Sequence, residues 1–152
     1  MTLHLVCDSS GSMVENGKPY ITRTAVMTVA QLVHLGYMSS DVKLYRWRDQ
    51  VEQDAAWTVK DEFPITPDSY RGRARIEAVN AMDFPSGDQL LVFTDGSWPL
   101  RDLKALETWR SAQPDGSVRI VKVGADANPR LTGAHVFDAG EILLAVDDLE
   151  KT

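Results

Sequence analysis

Apolar residues fall in short blocks along this chain, and the spacing within the blocks alternates between continuous and helical. Leu3-His4-Leu5-Val6-Cys7 is mainly apolar, ends at Asp8 and is followed by Ser, Gly and Asn, which predicts a buried strand running into a loop. From Pro19 to Leu35 the pattern turns helical: Ile21, Ala25, Val29, Leu32 and Val33 share one face, and Thr22, Arg23, Gln31 and His34 fall elsewhere. Pro19 suits a first turn and Gly36 a stop. Val42 to Trp47 predicts a second strand and Val51 to Val59 a more polar edge strand, joined antiparallel through Arg48-Asp49-Gln50. Phe63 to Tyr70 carries Pro64 and Pro67 and predicts a loop, and Arg75 to Met82 a short helix with Ile76 and Val79 inward.

Gln89-Leu90-Leu91-Val92-Phe93 is the strongest strand signal, a continuous apolar run suited to a central parallel strand buried on both faces. It ends in Thr94-Asp95-Gly96. Pro99 to Arg110 follows as a helix, Ser117 to Val123 as a strand, Gly124 to Arg130 as a loop, Ala134 to Phe137 as a last short strand and Glu141 to Leu149 as a closing helix. Strands alternating with helices predict one α/β domain over 1–152, Rossmann-like and doubly wound. Its mainly parallel central sheet has one antiparallel edge strand and helices on both faces. In such sheets ligands bind at the carboxyl ends of the strands, where the topology changes direction.

Composition narrows the function. A chain of 152 residues with 43% hydrophobic and 25% charged residues suits a single soluble domain. The formal charge of -6 argues against general binding of nucleic-acid backbones. No window is apolar for long enough to span a membrane, and Met1 leads into no secretory signal. With Cys7 as its single cysteine the chain can form no internal disulfide, and a cytoplasmic protein is expected.

The chemistry concentrates after the first strand, in Asp8-Ser9-Ser10-Gly11-Ser12. Alternate residues of a loop leaving a strand can converge, so Asp8, Ser10 and Ser12 can present three oxygens together, and Gly11 permits the turn. Hard cations such as Mg2+ take oxygen ligands and keep some water. Asp95 ends the most apolar strand and is placed at the same sheet edge, where two acids repel unless a cation or a proton intervenes. The alternative for Asp8 and the serines is a helix cap and turn, and for Asp95 a turn acid before Gly96. A phosphate loop fits poorly, because five residues separate Gly11 from Gly17 and Pro19 follows Lys18.

Asp8-Ser9-Ser10-Gly11-Ser12-Met13 resembles the D-x-S-x-S signature of von Willebrand factor A domains, which opens their metal-ion-dependent adhesion site. Thr94-Asp95-Gly96 resembles the family's second acidic element, and the order of elements is similar over nearly the whole chain. The resemblance implies Mg2+, or Mn2+ or Ca2+ in its place, held by Asp8, Ser10, Ser12 and Asp95, some through water. It also implies a protein partner that completes the shell with a carboxylate, and a binding module rather than an enzyme. Stand-alone cytoplasmic members resemble parts of multi-protein complexes, among them those of AAA+ ATPases.

One loop departs from the family. In Tyr70-Arg71-Gly72-Arg73-Ala74-Arg75-Ile76, Ala74 stands where a ligand threonine is expected, with Ser69 a weak substitute out of register. Arg71, Arg73 and Arg75 would oppose a metal or attract a partner's acid, or form a solvated patch. Trp98 either anchors a partner or packs over the next helix. His4, His34 and His135 show no ligand spacing, and Cys7 is expected to be a buried core residue. Two other functions remain: Mg2+-dependent phosphoryl transfer from Asp8, in which Ser10 stands where a second acid is wanted, and a metal-free scaffold binding through its arginine loop.

Overall fold

The computed structural model describes residues 1–150; Lys151 and Thr152 of the expected domain lie outside the described residues. Six strands form one sheet: β1 (Thr2–Asp8), β2 (Asp41–Trp47), β3 (Val51–Gln53), β4 (Gln89–Thr94), β5 (Val118–Lys122) and β6 (Val136–Asp138), in the spatial order β3-β2-β1-β4-β5-β6. All neighbours run parallel except β2 and β3. The chain builds outward from β1 to β2 and β3, then returns to the other side of β1 with β4. The topology therefore switches direction between β1 and β4, which makes the carboxyl ends of these two strands the expected ligand position.

Side-chain alternation along the central strands sorts the core into two layers. Leu3, Leu5 and Cys7 of β1 and Leu91 and Phe93 of β4 face α1 (Lys18–His34) and α4 (Ile142–Glu150). Val6 of β1 and Leu90 and Val92 of β4 face α2 (Ile76–Asn80) and α3 (Leu100–Ala112). A strand buried on both faces cannot show alternating polarity, so β4 reads as a continuous apolar run. No helix among the described residues is long and apolar enough to cross a membrane.

The structure corrects several expected boundaries. The edge strand ends at Gln53 rather than running to Val59. After it Asp54 N–H donates to Leu44 O, and the chain turns so that Trp57 enters the core with its indole N–H on Glu62 O at 3.1 Å. The apolar residues of that segment thus serve a packed turn. Helix α2 starts at Ile76 because Arg75 is extended, its N–H donating to Arg48 O. Ile76 and Val79 point inward as expected.

The buried face of α1 keeps Ala25 and Val29 of the expected stripe but is rotated relative to it. Lys18, Thr22, Val26 and Ala30 form its innermost row, while Ile21, Leu32 and Val33 are only partly covered. At the opposite end of β1, His4 is held between Asp88 Oδ2 at 2.9 Å and the Tyr45 hydroxyl at 2.7 Å, a structural role.

Thr22 is fully buried, and its hydroxyl has no hydrogen-bond partner among the described residues. An unpaired buried hydroxyl is destabilising, so Thr22→Val should raise stability by about 1 kcal/mol in urea unfolding. A loss of stability would mean that the hydroxyl is bonded in solution.

Candidate metal centre

Parallel pairing of β1 with both β2 and β4 sets Asp8 beside Trp47 on one side and next to Thr94 on the other. Both oxygens of the buried Asp8 carboxylate are engaged. Oδ1 accepts from Ser10 N–H at 2.9 Å and from Ser10 Oγ at 2.6 Å, and Oδ2 accepts from Thr94 Oγ1 at 2.6 Å. Ser10 Oγ lies 3.4 Å from Ser12 Oγ. Asp8, Ser10 and Ser12 therefore converge as their alternate spacing suggested. A serine hydroxyl that donates its proton to Asp8 keeps its lone pairs free for a cation.

Asp95 follows directly on β4. Its Oδ1 accepts from Ser97 N–H at 3.1 Å and its Oδ2 from Lys18 Nζ at 2.9 Å. Burial pushes the Asp8 carboxyl up to about 6, against the hydrogen bonds from Ser10 and Thr94 that lower it, and the nearby Asp95 charge adds to the rise. Burial likewise pushes the Cys7 thiol up, which fits an inert core residue.

A cavity of about 140 Å³ opens over the serines, lined by Ser10, Ser12, Arg73, Ala74, Ser97 and Trp98. The loop that carries Ala74 is tied to the β1 loop by its backbone, with Arg71 N–H on Ser9 O and Gly11 N–H on Gly72 O, each at 3.0 Å. Ala74 thus occupies the cavity wall with a methyl group. Ser69 does not replace its missing hydroxyl: it sits in a turn of 3-10 helix, Pro67–Ser69, and does not line the cavity.

The three arginines of the loop are exposed, and only Arg73 borders the cavity over the serines. Arg73 lies 3.6 Å from Asp102 and shares a neighbouring depression with Arg71, Arg48 and Asp49, while Arg75 lies 3.9 Å from Glu77. Trp98 is half-buried against Trp47, with ring centroids 5.3 Å apart, and forms part of the cavity wall.

No group of three or more His, Cys, Asp or Glu side chains among the described residues is placed to hold a metal. The donor set here is of another kind, hydroxyl-rich with two acids. It fits a hard divalent cation: the oxygens are already gathered, and the buried Asp8 carboxylate lacks a fully compensating positive charge. Sequence reasoning missed Thr94 as a partner of Asp8, Ser97 as a cavity hydroxyl, and Lys18. The available signal for Lys18 was a cation in the first turn of a helix, where the macrodipole disfavours it.

No family model matches the sequence, and no curated protein does. Solved structures do match in fold. An aerotolerance-related membrane protein from Bacteroides fragilis aligns over 100% of both chains with a TM-score of 0.69 and 11% identity. The conserved hypothetical protein BatB from Bacteroides thetaiotaomicron aligns over 100% of both chains at 0.65 and 12% identity. Proximal thread matrix protein 1 from the mussel byssus, solved with a zinc-occupied metal-ion-dependent adhesion site motif, aligns over 99% of this chain and 44% of its own at 0.55 and 14% identity. The fold is that of von Willebrand factor A domains, as its sequence resemblance implied.

Because the folded Asp8 carboxyl holds its proton up to about pH 6 and the unfolded one only to about 3.8, the folded state binds more protons in between. This group's contribution to stability therefore falls as pH rises from about 4 to 6, by about 3 kcal/mol in all. In EDTA, Asp8→Asn should be more stable than the wild type at pH 8, with the gap closing toward pH 4. A variant no more stable at pH 8 would show that Asp8 ionises in the fold without cost.

Proposed function

We propose that this domain is a metal-dependent protein-binding module whose centre is Asp8, Ser10, Ser12 and Asp95, with a carboxylate from a partner protein completing the shell. The observation that carries this reading is the convergence of Asp8, Ser10 and Ser12 beneath an open cavity at the topological switch point, with Asp95 on the adjoining strand. Mg2+ is the expected ion, with Mn2+ or Ca2+ as substitutes. The zinc-occupied motif of the mussel protein supports a metal at this position of the fold. With Ala74 supplying no oxygen, the domain offers an incomplete shell, and an incoming carboxylate gains a direct bond to the ion. The sequence resemblance to stand-alone family members supports a role in a cytoplasmic multi-protein complex, with an AAA+ ATPase among the candidate partners.

Phosphoryl transfer is less well supported. Asp8 is only 1% exposed, which leaves its carboxylate poorly placed for in-line attack on a substrate. Metal-free binding through the arginine loop has one observation in its favour, the Lys18 cation already seated on Asp95.

Thermal unfolding of the wild type and Asp8→Ala, with Mg2+ or Mn2+ against EDTA, tests the reading. An ion at 100 times its dissociation constant that binds only the folded state adds about 2.7 kcal/mol. Stabilisation of the wild type alone is expected. Wild type and Asp8→Ala responding alike would remove the centre from these residues. A glutamate-bearing peptide should tighten Mn2+ binding to the wild type, since coupling between the two ligands is reciprocal, and its glutamine counterpart should not.

A further inference from the structure

Lys18 opens α1 from inside the protein, its side chain only 2% exposed. An ammonium has three donors, and here three acceptors meet it: Asp95 Oδ2 at 2.9 Å, Asp126 Oδ2 at 3.0 Å and Ser12 O at 3.1 Å. These belong to the loops after β4, β5 and β1, so one side chain ties together three loops at the carboxyl edge of the sheet. Asn16 Nδ2 donates to the same Asp126 oxygen at 2.8 Å and holds that acid in place. Space for the lysine stem depends on Gly124, whose φ is 96°. A Cβ at that position would lie 2.8 Å from Lys18 Cε. Backbone, neighbouring side chains and an absent side chain all accommodate one buried cation.

We propose that Lys18 is a resident cation of the metal centre, which partly neutralises Asp95, holds it in place without a metal and lowers the domain's own affinity for divalent ions. The proposal rests on the metal-centre reading above. Asp95 Oδ2 accepts from the ammonium, which it shares with Asp126, and Oδ1 accepts from Ser97 N–H, so this acid meets an ion with part of its charge already balanced. A unit positive charge one carboxylate away from the ion opposes its binding. The partner's carboxylate then strengthens occupancy, so metal capture and partner capture reinforce each other. Lys18 acts through Asp95 and is a positioning residue.

Mn2+ titration of the full chain, following free Mn2+ by electron paramagnetic resonance, tests this with Lys18→Met and Lys18→Gln. Both variants should bind Mn2+ more tightly than the wild type, by about tenfold or more. If Lys18→Met is unfolded in EDTA, Mn2+ should restore its fold, because the ion takes over the balancing of Asp95. Folded variants with unchanged or weaker Mn2+ affinity, or an unfolded variant that Mn2+ does not rescue, would overturn the role of Lys18. In that case the metal-centre reading stands as long as Mn2+ binds the wild type and not Asp8→Ala. Absence of Mn2+ binding in every protein would overturn both.

Discussion

Two carboxylates meet at the ends of adjacent buried strands, and the rest of the site follows from how their charge is balanced. Asp8 and Asp95 leave β1 and β4 where the sheet changes direction, in a region that burial makes hostile to charge. Asp95 is balanced by Lys18, and Asp8 by nothing stronger than hydrogen bonds from Ser10 and Thr94. One acid is therefore satisfied within the chain. The other is raised toward neutrality and remains the point at which an added cation gains most.

β1 and β4 are covered on both faces, by α1 and α4 on one side and α2 and α3 on the other, so the acids project from the most deeply packed part of the domain. The surrounding loops are bound to one another by backbone hydrogen bonds and by the Lys18 ammonium. A partner docking over Ser10, Ser12 and Trp98 would meet a surface that needs little ordering, which favours binding.

Much of this was legible in the sequence, for physical reasons. A parallel sheet forces continuous apolar strands, and these stood out most clearly in Gln89 to Phe93. The oxygens of Asp8, Ser10 and Ser12 come together because the chain turns soon after β1 into a short 3-10 helix, Gly11–Val14. The edge strand was overestimated because Trp57 and Val59 carry strand-like spacing that a packed turn uses equally well, while Ala55 and Ala56 stay exposed. The role of Thr22 was hidden because its polarity sets it off the apolar face, and that of Lys18 because the helical pattern starts only at Pro19. Both in fact lie on the innermost row of α1, where a lysine is tolerated only because acids 77 and 108 positions later come to meet it. No local pattern records pairings at such separations.

The most direct measurement is crystallographic: diffraction from crystals soaked in Mn2+, collected where manganese scatters anomalously. The account predicts a single strong anomalous peak above Ser10 and Ser12, within about 2.1–2.3 Å of their hydroxyl oxygens and linked to Asp8 and Asp95 directly or through water. A well-occupied peak elsewhere, or none with the Lys18 ammonium unmoved and the serines still bonded only to Asp8, would contradict a metal centre at this position.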